Sequence, residues 1–280
     1  MRIGFHVSIA GSIDKAVDRA VELGCNTFQI FTSNPRQWKI TELSLEEIEN
    51  FIHKMNSNDV KPVFAHMPYL PNLASSRDGI YAKSIKALTS ELERCSRLRI
   101  PFLVTHLGSH LGAGVQIGFE RITNAINKVF NAAGEGVMLL LENTAGTRNS
   151  MGSSFEGIRQ IMKRLSHSER VGICFDTSHA FAAGYDLRTR KSIDETIRSL
   201  DETIGFEKLK LVHLNDSMGD LNSHIDRHEH IGMGKIGERG FRDLLKSRLG
   251  RLPLILETPR DARRNDIDNL RKVRKLAGEL

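Results

Sequence analysis

Eight short apolar runs recur along this chain, and no other feature restricts its fold so tightly: Ile3 to Val7, Thr27 to Phe31, Pro62 to Ala65, Phe102 to Thr105, Val137 to Leu141, Val171 to Phe175, Leu209 to Val212 and Pro253 to Leu256. Between them lie longer segments whose apolar residues fall at helical spacing, such as Ile85, Leu88, Leu92 and Cys95, then Ile122, Ala125, Ile126, Val129 and Phe130, then Phe155, Ile158, Met162 and Leu165. Short runs alternating with helical segments are the β/α pattern of a parallel sheet. The 280 residues leave about 35 for each of eight units, enough for a strand, a crossover helix and two loops. The expected fold is therefore α/β, a closed (β/α)8 TIM barrel forming a single domain over residues 1–280.

From the third run onward, the residue just past each strand is His66, His106, Glu142, Asp176, His213 and Glu257. Strand ends in such a barrel open on one face, so these six side chains are expected to ring a single mouth. One histidine at a strand end is ordinarily a hydrogen-bonded structural residue. Six ionisable groups in succession would have to lose their charge, be paired or hold metal. More donors follow close by. Asp176-Thr177-Ser178-His179 places an imidazole three residues beyond a carboxylate, and the loop after His213 carries Asp226 and His228, which project to the same side of an extended chain, with His230 continuing the alternation. Read in isolation, Asp-x-His in a polar loop is more readily a solvated segment, because two ligands do not complete a site. Nine converging donors exceed the needs of one ion and suit two or three, and their nitrogen and oxygen atoms favour zinc, manganese or iron over calcium or magnesium. Clustered ions of this kind polarise phosphoryl oxygens and hold the charge that develops on a leaving oxygen, so a phosphate ester is their natural substrate.

Gly232, Gly234 and Gly237 also spell G-x-G-x-x-G, a dinucleotide fingerprint. That motif must follow a strand immediately, and here a donor-rich loop separates it from the strand ending at His213. The three cysteines, Cys25, Cys95 and Cys174, stand in no C-x-x-C pair, which argues against a disulfide framework or a thiolate zinc site. The formal charge of +6 and a pI near 9.3 lean toward polyanionic partners, although a solvated surface accounts for six charges equally well. With neither a signal-like N-terminus nor a membrane-length apolar stretch, the protein is expected to be soluble and cytoplasmic, without a membrane partner.

Three long stretches carry a resemblance that extends over essentially the whole chain: Leu141-Glu142-Asn143-Thr144-Ala145-Gly146, the run Phe175 to Asp186 that begins Phe-Asp-Thr-Ser-His, and His213-Leu214-Asn215-Asp216-Ser217 followed by Asp226-Arg227-His228. In these the sequence resembles the endonuclease IV family, the zinc-dependent apurinic/apyrimidinic endonucleases of base excision repair. The resemblance implies hydrolysis of the phosphodiester 5′ to an abasic site, leaving a 3′-hydroxyl, together with trimming of blocked 3′ ends, by a monomer acting on double-stranded DNA. It implies three Zn2+ per chain, with Mn2+ or Fe2+ able to replace zinc at some positions. His66 and His106 would hold one ion, and Glu142, the residue given a catalytic part, would bridge it to a second bound by Asp176, His213 and Glu257. His179, Asp226 and His228 would hold the third.

The same resemblance makes the Ser33-Asn34-Pro35-Arg36-Gln37-Trp38 stretch and Tyr69 DNA-contacting, with Arg36 and Tyr69 the leading candidates; apolar packing at the rim is the lesser alternative for Trp38 and Tyr69. The chain departs from the family beside the ligands, with Asn222-Ser223-His224 where Gly-Ser-Arg is common and Thr147-Arg148 where Gln-Gly is common. His6, His110, His224 and His230 match no ligand position and are expected to support the ligands or contact phosphate. Two rivals remain: a metal-dependent sugar isomerase or epimerase, and a DNA-binding accessory whose metals are structural.

Overall fold

The computed structural model describes residues 1–132, 134 and 136–279. Its strands are β1 (Ile3–Phe5), β2 (Phe28–Phe31), β3 (Val63–His66), β4 (Phe102–His106), β5 (Met138–Glu142), β6 (Val171–Asp176), β7 (Leu209–His213), β8 (Asp216–Ser217), β9 (His228–Glu229) and β10 (Leu254–Leu256). All except β8 and β9 join one parallel sheet of eight strands, in the order β1-β10-β7-β6-β5-β4-β3-β2. The ring closes between β1 and β2 through a parallel bridge of His6 with Gln29, where Val7 N–H donates to the Gln29 carbonyl at 2.8 Å. All eight expected strands are present. Their boundaries move by a residue or two: β3 to β7 each run on to include the ionisable residue at their end, and β1 stops at Phe5. The last strand starts at Leu254 rather than Pro253, since proline has no N–H for the ladder.

Helices α1 (Lys15–Glu22), α2 (Leu45–Ser57), α3 (Asp78–Arg97), α4 (Val115–Ala132), α5 (Phe155–Met162), α6 (Thr177–Ala182), α7 (Arg190–Thr203), α8 (Gly237–Leu245) and α9 (Asp266–Ala277) surround the sheet. The stripes read from the sequence face inward, with Leu88, Leu92 and Cys95 of α3 and Ile122, Ala125, Ile126, Val129 and Phe130 of α4 buried. No helix among the described residues is long and apolar enough to cross a membrane. Cys25, Cys95 and Cys174 are free, buried thiols.

Inside the ring a second, smaller apolar cluster consists of Phe64, Val104, Leu140, Cys174, Leu211 and Ile255. Each lies two residues before His66, His106, Glu142, Asp176, His213 and Glu257. Because a strand repeats its facing every second residue, the inward side chains form stacked layers. The lower layer is an apolar floor and the next one up, at the C-terminal mouth, is ionisable. β8 and β9 pair separately as a short antiparallel ribbon that no apolar run announces.

Candidate metal centre

All nine predicted donors gather at this mouth. Within it, His66, His106 and Glu142 offer ligand atoms mutually within 4.8 Å, as do Glu142, Asp176, His213 and Glu257, and Asp176, His179 and His228. Asp226 joins the last set through His179, whose Nε2 lies 3.0 Å from Asp226 Oδ1. Asp176 also faces both neighbouring sets, its Oδ2 3.9 Å from His213 Nδ1 and 3.5 Å from His228 Nε2, so it is less confined to one set than the resemblance implied.

The imidazoles show what the arrangement is built for. His66, His179 and His228 each donate Nδ1–H to a backbone carbonyl, those of Met67 (2.7 Å), Asn143 (3.0 Å) and Glu257 (3.1 Å). His213 donates Nε2–H to Gln29 Oε1 at 2.9 Å. The Gln29 orientation is fixed in turn, because its Nε2 meets a carboxylate oxygen, Glu257 Oε1, at 2.8 Å. Each ring therefore has its proton committed to one side and its lone pair turned toward carboxylates: His66 Nε2 is 3.0 Å from Glu142 Oε2, and His213 Nδ1 is 3.1 Å from Glu142 Oε1 and 3.4 Å from Glu257 Oε2. Lone pairs and carboxylates at such distances repel unless a proton or a cation lies between them. Among the described residues, His228 Nε2 is buried with no hydrogen-bond partner. Tautomers fixed from outside and lone pairs aimed at shared carboxylates are how proteins orient histidine ligands, so the residues present fit metal ions.

Charge follows the same logic. Burial pushes the Glu142 carboxyl up, but His106, His213 and His179 outweigh it and hold it well below the usual carboxylate range. Glu257 is likewise held low by His213 and His6 against its burial. Burial opposes protonation of His179, yet Asp176, Asp226 and Glu142 raise it well above its ordinary value.

Local structure explains the sequence spacings. Asp176 ends β6 and caps α6, its Oδ1 accepting the His179 N–H at 2.8 Å, so the three-residue spacing is an N-cap that swings His179 over the mouth. The loop that brings back Asp226 and His228 is pinned to the connection after β6 by Asn222 N–H to the Phe181 carbonyl and His224 N–H to the Ala182 carbonyl, at 3.1 and 3.0 Å. Asn222 and His224 both take positive φ, and His224 Nδ1–H donates to Ala145 O at 3.0 Å, beside Gly146. The glycine-rich turn wraps a carboxylate of the chain itself: Asp216, fully buried, accepts N–H groups from Gly232 and Gly234 at 2.9 Å, Ile236 at 3.0 Å and Ser217 at 2.8 Å. A Cβ at Gly234 would fall 2.6 Å from Asp216 Oδ1, so the glycine is required there, and a nest filled from within has no place for a pyrophosphate.

His230 does not continue the alternation into the site. Its strand ends at Glu229, and its ring is fully buried between Asp261 Oδ1 (3.1 Å) and Asn269 Nδ2 (2.9 Å). His110 accepts the N–H groups of Gly112 and Gly114 and shapes its own loop. Of the four unmatched histidines only His6 reaches a donor, with Nδ1 3.2 Å from Glu257 Oε1. Several scaffold residues had no role assigned from the sequence. Asn215 donates Nδ2–H to Asp176 Oδ2 at 2.7 Å and accepts the Glu257 N–H, Asn143 joins Asp176 by two hydrogen bonds, and Gln29 spans His213 and Glu257. Their signal was a buried amide inside or beside an apolar run, where it must find partners.

Arg36 and Tyr69 stand exposed at the rim of the same open cavity of about 1130 Å3 that His66, His106, His179 and Glu257 line, and Tyr69 N–H donates to the Pro35 carbonyl at 3.1 Å.

Comparison with known proteins agrees with this geometry. The family described as xylose isomerase-like TIM barrel matches residues 17–276. A protein named probable endonuclease 4 from Methanoculleus marisnigri is 55% identical over 278 residues, 99% of each chain, and one of the same name from Nitrosopumilus maritimus is 48% identical over 280 residues, 99% of this chain and 100% of that one. The crystal structure of endonuclease IV from Thermus thermophilus superposes with a TM-score of 0.89 at 37% identity over the full length of both chains. A D-tagatose 3-epimerase-like protein, at 20% identity and TM-score 0.73, shares the fold alone. With identities of this size over whole chains, the protein belongs to the endonuclease IV family.

Proposed function

We propose that this protein is an abasic-site endonuclease of base excision repair, which hydrolyses the phosphodiester 5′ to an apurinic/apyrimidinic site in duplex DNA, leaves a 3′-hydroxyl, and also trims blocked 3′ ends. The observation that carries the reading is the set of imidazoles locked from outside, whose lone pairs converge on shared carboxylates at the floor of an open cavity of about 1130 Å3. On this reading His66, His106 and Glu142 hold one ion, Glu142, Asp176, His213 and Glu257 a second, and His179, Asp226 and His228 a third, zinc at all three with manganese or iron able to substitute. When bound, such ions supply electrophilic stabilisation of a phosphoryl group and activation of water near neutral pH. The chain's own contribution is positional. Glu142 presents one oxygen toward His66 and the other toward His213, which sets the spacing between two donor sets. Arg36 and Tyr69 grip the distorted duplex at the rim. Every donor comes from one chain, so the working form is taken to be a monomer, in the cytoplasm with its DNA substrate.

A duplex with one tetrahydrofuran abasic analogue tests the reading. The analogue lacks the aldehyde needed for lyase chemistry, so nicking must be hydrolytic, and the expected product carries a 3′-hydroxyl. Purified protein should hold close to three transition-metal ions per chain by elemental analysis. An intact duplex with fully metallated protein would turn attention to the sugar-isomerase alternative.

A further inference from the structure

Behind the rim, a buried ionic cluster that belongs to none of the donor sets ties one surface loop to α3. Glu91 is fully buried, and its carboxylate accepts the Thr32 hydroxyl at 2.5 Å and the Ser33 hydroxyl at 2.7 Å. One turn along the helix Arg94, also buried, donates Nε–H to Thr32 Oγ1 at 2.9 Å, Nη1–H to the Thr41 carbonyl at 2.7 Å, and Nη2–H to the Thr32 carbonyl. The two charges meet through the Thr32 hydroxyl, which accepts from the guanidinium and donates to the carboxylate. A single guanidinium thus holds both ends of residues 32–41.

That excursion has no helix or strand of its own, and it carries Arg36 and Trp38. Internally it has only a weak turn, Arg36 N–H to Asn34 Oδ1 and Gln37 N–H to the Asn34 carbonyl. It also holds the second rim segment, through the Pro35 carbonyl that receives Tyr69 N–H; beside it Phe31, the last residue of β2, places its ring 5.1 Å from that of Tyr69. Burying two charges is costly: it pushes the Glu91 carboxyl up and the Arg94 guanidinium down. An apolar replacement of similar volume would commonly be as stable, so the cluster is poor as a stabiliser and good as a fixture. Binding a flexible loop to DNA costs affinity in ordering it, and a loop already stapled avoids that cost.

We propose that Thr32, Glu91 and Arg94 are positioning residues that preorganise the Asn34 to Trp38 loop, and Tyr69 with it, for gripping the distorted duplex. The inference rests on the reading of Arg36 and Tyr69 as DNA-facing.

Trp38 is the sole tryptophan of the chain, so its fluorescence reports this loop directly. In Thr32→Val the relay hydroxyl is lost with little change in shape. Acrylamide quenching of Trp38 should rise and its anisotropy fall, with metal content unchanged. The Kd for a tetrahydrofuran duplex should rise about ten- to a hundredfold, while kcat at saturating duplex is kept. Thr32→Ser should restore both readouts. If Thr32→Val does not fold, Arg94→Lys, which keeps the charge but can reach only one end of the loop, should loosen Trp38 in the same way. Wild-type quenching in the folded variant overturns the staple, and a loosened Trp38 with unchanged duplex affinity overturns its part in binding. Arg36→Ala measured alongside separates the two readings: if it too leaves affinity unchanged, the DNA-facing reading fails, and the proposal with it, even where Trp38 loosens.

Discussion

Five of the nine donor side chains occupy the last residue of a parallel strand, whereas Asp226 and His228 hang from the long connection that leaves the sheet after β7 and returns as the β8–β9 ribbon. The strand-borne donors inherit their positions from the barrel. Register sets His106 level with Glu142 and Asp176 level with His213, and the apolar floor two residues below each one fixes its facing. The loop-borne pair depends on devices particular to the loop: the Asp216 carboxylate gathering the glycine turn, and backbone bonds to residues 181 and 182. The two kinds of donor should therefore fail separately. Strand-end ligands should resist anything short of losing their own side chains or hydrogen-bond partners, and the loop-borne set should be sensitive to changes that touch no ligand.

The largest effect is expected from Glu142→Ala, which removes the carboxylate common to two donor sets. Nicking of the tetrahydrofuran duplex should drop about a hundred- to a thousandfold or more, a loss of one preorganised electrostatic group at a reacting centre being worth about that much by itself. The fold should survive, since the residue sits above the floor and Leu140 stays in place, and a circular dichroism melt would show it. Near-normal nicking would dissolve the idea of a shared strand-borne carboxylate.

Next comes Asp216→Asn. The carboxamide keeps the volume but offers one acceptor oxygen to N–H groups that two oxygens now satisfy, and it loses the charge. Stability should fall by about 2–3 kcal/mol in a urea melt. Dialysed protein should retain the strand-borne ions and lose the one assigned to His179, Asp226 and His228, by elemental analysis. Loss of all the ions, or of none, would break the separation between the two kinds of donor.

The same division marks what could be read from the sequence. Strand-borne donors were legible because a strand announces itself as an apolar run and its mouth as the first ionisable residue after it, as at Val104-Thr105-His106 or Phe175-Asp176. Asp226 and His228 were visible as a pair. Their partner segment was not, because Asp216–Ser217 and His228–Glu229 are too short to show any periodicity. His230 misled for the same reason: alternation holds only while the strand lasts, and it ends one residue earlier. The glycine fingerprint could be set aside on its context, but not what the turn encloses instead, because Asp216 lies sixteen to eighteen residues earlier and a contact across that separation leaves no local mark. Gln29 was hidden by its setting in an apolar run, though an amide there has to find partners.

Gln29→Leu tests the strand-borne side without touching a ligand. It removes the acceptor for His213 Nε2–H and the donor to Glu257, so His213 is free to change tautomer and Glu257 to turn. Chelator competition should show one ion bound about ten- to a hundredfold more weakly, the usual effect of losing a partner of a ligand. The loop-borne ion should keep its affinity, and a matching loss there would mean the two regions are coupled more closely than their scaffolds suggest.

The smallest effect is expected at His224, which is not a donor itself. Its Nδ1–H reaches the Ala145 carbonyl, tying the loop that carries Asp226 to the connection after β5, and its backbone stands at φ 56°. His224→Ala loses the hydrogen bond but keeps the unfavourable left-handed backbone, and should cost about 1 kcal/mol of stability. His224→Gly loses the same bond but relieves the backbone, since glycine takes positive φ without steric penalty, and offsets part of that by a more flexible unfolded chain. If the imidazole bond is what holds the loop, both variants should weaken the loop-borne ion by a similar small factor, whatever their melting temperatures. If backbone conformation is what matters, the glycine variant should bind that ion as the wild type does and only the alanine variant should lose affinity. In either case the strand-borne ions should be unaffected, because nothing in the barrel register passes through residue 224.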